Sequence, residues 1–97
     1  MPETPRVFVL MFEAVAGEGS GHPVGERRYP LVIVPAQSDT EAVEAAIAAL
    51  AERHWSNPLL RRVEPFRAEP ESLPPPLDEA AAKAYAGGPG IVVFDTP

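Results

Sequence analysis

The sequence predicts a single small domain, residues 1–97, of the α/β or α+β class, with elements in the order β-β-α-β-α-β. Two observations support a four-stranded mixed sheet with two helices. Apolar runs rich in β-branched residues occur at 6–15, 31–34 and 91–94. Two alanine-rich segments with helical spacing, at 39–54 and 77–86, separate the later strands. A chain of 97 residues can bury one core with little to spare, so self-association is expected.

The first helix, predicted over residues 39–54, has the clearest local signals. The Ser38 hydroxyl can accept the backbone N–H of Glu41, and the Glu41 carboxylate can reach back to Ser38, which forms a capping box. Pro58 prevents the helix from continuing. The predicted buried face consists of residues at helical spacing, namely Val43, Ala46, Ile47, Leu50 and His54.

Three of the predicted strands, at 6–15, 31–34 and 91–94, are apolar on both faces. Unbroken apolar runs of this kind indicate strands that are covered on both sides. Pro30 and Pro35 are expected to bound the second strand, because proline suits the ends of a strand better than its middle.

The remaining segments are predicted to form an edge strand and connectors. Residues 59–68 mix charged and apolar side chains and contain Pro65, which favours an edge strand. Residues 1–5 are expected to fray, and the glycine-rich residues 17–26 to form a flexible hairpin loop. Residues 69–76 are acidic and proline-rich, which predicts a stiff, extended connector.

The order of the strands is left open by the sequence. Two βαβ connections suggest that strands two, three and four run parallel, with strand one antiparallel to strand two. If strand four lies between strands two and three, the helices cover opposite faces of the sheet. In the alternative layout both helices share one face, and a dimer buries the other.

Composition limits the classes of function. A net charge of −6 argues against general nucleic-acid binding, and the absence of cysteine excludes disulfides and thiolate metal sites. The apolar run at 7–12 is too short to span a membrane, and no cationic segment precedes it, so we expect a soluble cytoplasmic protein. Abundant arginine, alanine and proline suggest a GC-rich bacterial genome. Few amide residues and many prolines also fit a thermophile, although codon bias produces the same composition.

One end of the predicted sheet is the candidate site, because the hairpin loop, the turn after the first helix and two strand ends should meet there. A cluster of guanidinium, imidazole and indole groups can bind a carboxylate, a phosphate or an acidic partner. The simpler explanation is that the arginines keep strand ends soluble and the tryptophan anchors the helix end to the core. The residues expected at this end are His22, Arg27, Arg28, His54, Trp55, Arg61 and Arg62.

Neither histidine belongs to a recognisable metal or catalytic motif. No third ligand stands at a regular spacing from His22 and His54, so we expect no metal site and no cofactor. The glycine series at 17–26 is followed by a strand and not by a helix, which argues against a phosphate-binding loop. Asp95, after the last strand, is expected at the opposite end of the sheet, with a C-terminal cap as its ordinary role.

The sequence therefore favours a non-enzymatic domain that acts through protein–protein contact, as a homodimer. One alternative is a domain that binds or transforms a small anion at the histidine, arginine and tryptophan end. A second is an acidic regulator, resembling immunity proteins or antitoxins in its role, that blocks a basic partner. Its acidic residues would be Glu69, Glu71, Asp78 and Glu79.

Overall fold

A computed structural model describes residues 6–95 of the chain, so the predicted fraying of residues 1–5 lies outside the described residues. The predicted order β-β-α-β-α-β is confirmed, and of the two predicted classes, α/β and α+β, the structure is α+β. A short 3₁₀ turn, Pro70–Ser72, interrupts the connector that was expected to be extended. The elements are β1 (Val7–Ala16), β2 (Arg27–Pro35), α1 (Asp39–Glu52), β3 (Trp55–Phe66), α2 (Leu77–Tyr85) and β4 (Gly90–Phe94).

The sheet has the strand order β3-β1-β2-β4, and each of the three pairings is antiparallel. The predicted mixed sheet with parallel neighbours is therefore wrong. Since β1 lies between β2 and β3, these two strands point the same way, as a βαβ connection requires, without pairing with each other. β4 adds to the outer side of β2, with Leu31 opposite Val92, and it runs in the reverse direction.

The two helices cover opposite faces of the sheet. Phe8, Leu10 and Phe12 pack on the α1 side, whereas Val7 and Ile33 pack on the α2 side. The layout with both helices on one face is wrong, and so is the placement of β4 between β2 and β3. Helices on both faces explain why the central strands are apolar on both faces.

The cap of α1 forms only in part as predicted. Ser38 Oγ accepts a hydrogen bond from the backbone N–H of Glu41 at 3.2 Å, which satisfies one of the free donors at the helix start. The Glu41 carboxylate accepts instead from the N–H of Gln37, at 3.4 Å. The helix ends at Glu52 and not at residue 54, because His54 has a φ of 67°, which is incompatible with a helix.

The buried face of α1 differs from the predicted one. Ile47, which was assigned to the core, is 40% exposed, and His54 is also exposed. The small alanine side chains let the helix backbone lie close to the sheet, and Leu50 fills the remaining space, so the alanine face turns inward. The buried residues of the helix are Ala42, Ala46, Ala49 and Leu50.

Pro30 lies inside β2 and does not begin it, which corrects the predicted start of that strand. The regular pairing of β1 with β2 is interrupted between two residue pairs, Met11 with Leu31 and Ala14 with Arg28. Pro30 lies in this gap and has no N–H to donate. The strand continues on both sides of this gap because its side chains remain packed, and Pro30 itself is fully buried.

β3 is an edge strand, as predicted, but it starts at Trp55, immediately after the helix turn, and ends at Phe66. Its register with β1 shifts twice, between Met11 and Phe12 and between Glu13 and Val15. Such bulges twist an edge and discourage further strand pairing.

Candidate functional site

The hairpin loop packs against the turn between α1 and β3. The backbone N–H of Gly17 donates to the carbonyl oxygen of His54 at 2.8 Å. The His22 ring lies against the Trp55 indole, with ring centroids 5.3 Å apart and an interplanar angle of 51°. Trp55 is only 5% exposed and belongs to the core beneath α1. This aromatic contact therefore anchors the loop to the core.

The seven candidate residues do not converge on one site, because neighbouring strand positions point to opposite faces. Arg28 lies opposite Ala14, on the α1 side, together with Trp55. Arg27 lies opposite Val15, on the α2 side, and Arg62 lies opposite Met11 on that same side.

Two of these arginines bind Glu13, a residue of β1 that the sequence analysis did not single out. Arg27 Nη1 lies 3.0 Å from Glu13 Oε1, and Arg61 Nη1 lies 3.0 Å from Oε2. The Glu13 side chain is 14% exposed, whereas the arginines are 69% and 54% exposed. The available signal was a lone carboxylate within an otherwise apolar strand, which normally requires a charge partner.

These contacts lower the pKa of the Glu13 carboxyl group below its ordinary value. The hydrogen bond from Arg27 is the largest cause, partial desolvation opposes it, and the hydrogen bond from Arg61 adds to the lowering. Glu13 is therefore an ionised carboxylate at neutral pH, bridged by two guanidinium groups.

Arg28 is paired as well, with Glu26 and with Asp95. Its buried Nε lies 3.0 Å from Asp95 Oδ1, a close ion pair without the alignment of a hydrogen bond. The prediction that Asp95 lies at the opposite end of the sheet is wrong, because antiparallel β4 brings its last residues beside the start of β2.

The remaining candidates also have intramolecular contacts. Arg62 Nε donates to Glu64 Oε1 at 2.7 Å, on the exposed edge strand. Gly19 approaches the His54 ring so closely that a Cβ at Gly19 would lie 2.9 Å from Cδ2. An anion arriving at this end of the sheet would have to compete with carboxylates that already bind its arginines.

At this end, part of the sheet face lies beyond the reach of α2, with one exposed and four half-buried residues. We call it the open patch, defined as Met11, Glu13, Val15, Tyr29 and Leu59. The cluster packed around α2 does not include these residues, and Leu59 is 55% exposed. A shallow cleft of about 170 Å³ lies within it, between Glu13, Arg27 and Leu59. The open patch is largely apolar, and its one carboxylate is neutralised within the chain.

Over residues 6–95, no three histidine, aspartate or glutamate side chains are grouped so that they could hold a metal ion. None of the helices in this part of the chain has the length and apolar character needed to cross a membrane. No known protein-family model matches the sequence, and comparisons with curated proteins and with solved structures give no match.

Proposed function

We propose that this chain is a small non-enzymatic domain that acts through protein–protein contact and forms a homodimer through the open patch. The observation that carries the proposal is the incomplete cover of one sheet face. α2 has nine residues and packs over one end of that face, while β1 and β3, with 10 and 12 residues, extend beyond it. Burying the rest of an apolar sheet face against a second copy removes it from water.

The charges of the open patch suit a symmetric interface. In a two-fold dimer the same patch is present on both partners, so it must be complementary to itself. Glu13 lies in the patch, and Arg27 and Arg61 flank it, so both charge signs are available at this surface. A guanidinium group has five N–H donors, and each of these arginines can bind Glu13 and still donate across an interface.

The two alternatives from the sequence remain predictions with less structural support. The anion site at the histidine, arginine and tryptophan end is disfavoured because its arginines already bind carboxylates. The hypothesis of an acidic regulator requires only an exposed acidic surface near α2. Strong weakening of partner binding by salt would support it.

Sedimentation velocity on the full chain tests the dimer. We expect the unmodified protein to sediment as a dimer at tens of micromolar. Leu59→Arg should give a monomer with an unchanged circular dichroism spectrum, because Leu59 is already exposed within the fold. The matched control is Ile47→Arg, an exposed apolar residue on α1, on the opposite side of the sheet, which should leave the dimer intact.

A monomeric unmodified protein at these concentrations would contradict the proposed dimer. A dimer that survives Leu59→Arg and is lost with Ile47→Arg would place the interface on α1 and overturn the role of the open patch.

A further inference from the structure

The two edge strands of the sheet differ in how they are protected against further pairing. β3 contains charged residues and two prolines, and its register with β1 shifts twice. β4 has the sequence GIVVF, without a charge or a proline, and its register with β2 is regular. Charges, prolines and bulges are the features that keep an edge strand from pairing with another chain. β4 lacks all three.

The backbone on the outer side of β4 has no partner within residues 6–95. β4 is the last strand of the sheet and pairs only with β2. None of the backbone hydrogen bonds formed outside the helices and strands in this part of the chain involves Gly90–Phe94. In an antiparallel sheet, alternate residues of an edge strand point their N–H and C=O groups away from the neighbouring strand. β4 therefore offers unpaired donors and acceptors to a fifth strand.

A cleft of about 150 Å³ lies at the outer edge of β4, at its first two residues. Ile91 lines this cleft and packs on the α1 side, whereas Ala80, which also lines it, belongs to the α2-side cluster. Because the two helices cover opposite faces of the sheet, a cleft that touches both residues passes around the sheet edge. Neither helix closes the edge at this point.

The two faces beside this edge differ in the room that they leave for side chains. On the α2 side, a Cβ at Gly90 would collide with the backbone of Ala80, so the helix lies directly over the start of β4. On the α1 side, Ile91 and Val93 are only half-buried. An added strand with branched apolar residues at alternate positions, all on the α1 side, would cover these two side chains. Its other positions should be small.

The charges at this edge favour an acidic partner. Arg53 and Lys83 line the cleft together with Glu79. Within the described part of the chain, no carboxylate lies within ion-pair distance of either cation. Cations are thus in excess here, although the whole chain has a net charge of −6. A segment with a carboxylate next to its apolar residues is complementary to this edge.

We propose that β4 accepts an extended segment of a partner protein as a fifth strand, with alternating apolar and small residues and an acidic residue at one end. Backbone hydrogen bonds supply the affinity of such a pairing, and the alternate side chains supply its specificity. The β4 strand of a second copy fits less well, because two-fold pairing would bring the Glu79 and Lys83 side of one α2 against the same side of the other. This edge shares no residue with the open patch, so the inference does not depend on the proposed dimer.

NMR titration of the full-length ¹⁵N-labelled protein tests this edge with the synthetic peptide acetyl-Glu-Ser-Val-Ser-Ile-Ser-Val-amide. We expect amide shifts for Ile91, Val92, Val93 and Phe94, with slower hydrogen exchange at alternate positions, since strand pairing protects amide groups. The same peptide with N-methyl groups on its three central residues cannot pair through them and should bind at least about tenfold more weakly. Replacing its glutamate by glutamine should weaken binding about threefold.

Ile91→Lys should weaken binding of the peptide at least about tenfold, because a lysine on an edge strand discourages further pairing. The matched control is Val63→Lys, since Val63 is also half-buried on the α1 side but lies on the opposite edge strand, and it should leave the affinity unchanged. If circular dichroism shows that Ile91→Lys does not fold, Val93→Lys replaces it.

The proposal is overturned if the peptide leaves the β4 amides unshifted at millimolar concentration, or if it shifts those of β3 instead. Equal binding of the N-methylated peptide, or equal weakening by Ile91→Lys and Val63→Lys, would also overturn it. Equal affinity of the glutamine peptide would contradict the acidic requirement. A dimer that persists in Leu59→Arg and is lost in Ile91→Lys would assign this edge to a second copy and overturn the partner segment.

Discussion

The backbone N–H of Gly17 donates to the carbonyl oxygen of His54 at 2.8 Å, which joins the β1–β2 loop to the α1–β3 turn. The approach is close enough that a Cβ at Gly17 would collide with that carbonyl oxygen. We expect Gly17→Ala to lower the free energy of unfolding by about 1–3 kcal/mol, the usual cost of overpacking a tight contact. Urea denaturation measures this loss.

The matched control is Gly88→Ala. A Cβ at Gly88 would make only ordinary contacts, 3.9 and 4.0 Å from atoms of Lys83, so the substitution should be close to neutral. Equal effects of the two substitutions would show that the loop and the turn are not in contact in solution.

The orientation of α1 leads to a second prediction. Leu50 is fully buried, whereas Ile47, one turn earlier, is 40% exposed. Leu50→Ala should therefore cost about 2–5 kcal/mol of unfolding free energy, which includes the cavity it leaves. Ile47→Ala should cost less than about 1 kcal/mol, as expected for a surface position. Denaturation in urea compares the two. A loss for Ile47→Ala as large as that for Leu50→Ala would support the helix face that sequence periodicity predicted, because that face buries both residues.

The Glu13 bridge leads to a third prediction, on pH dependence. Because the pKa of Glu13 is lowered in the folded state, the unfolded state binds the proton more readily. The stabilisation of the folded state by the ionised Glu13 is complete above the ordinary glutamate pKa. It is lost as the pH falls through the lowered pKa of Glu13 in the folded state. Urea denaturation between pH 6 and pH 3 should show this loss. Glu13→Gln should make the unfolding free energy depend less on pH over the same range.

The Glu13 pKa can also be measured directly, by NMR titration of its carboxyl carbon. Arg27→Gln should raise it, because the hydrogen bond from Arg27 is the main cause of the lowering. Arg62→Gln, which removes an arginine that pairs with Glu64, should leave it unchanged. A Glu13 carboxyl group that titrates at the ordinary glutamate value in the unmodified protein would contradict the bridge.

Local features of the sequence were sufficient to locate the helices and strands. The Ser38 cap marks the start of α1, and the apolar runs mark three of the strands, because capping and periodicity depend on neighbours within a few residues. The buried face of α1 was mispredicted, because the choice between an isoleucine face and an alanine face depends on how closely the sheet allows the helix to approach. The interior position of Pro30 was missed for a related reason, since packing on the sheet outweighs the loss of regular pairing.

The candidate site was predictable only in part. The contact between the hairpin loop and the helix turn follows from the connections β1–β2 and α1–β3, and both were visible in the sequence. The division of the arginines between two sheet faces depends on strand register, which includes two irregularities in the β1–β3 pairing.

The sequence by itself determined the class of fold, the order of its elements and the apolar strands, because these follow from local propensity and the hydrophobic pattern. Only the tertiary structure decided that β4 pairs with the outer side of β2, which makes the sheet antiparallel and places Asp95 beside Arg28. It also decided that Glu13 meets Arg27 and Arg61, which are 14 and 48 residues away in the chain. The physical reason is that the pairing of distant strands reflects the packing of the whole core, and the same local pattern is compatible with several such pairings.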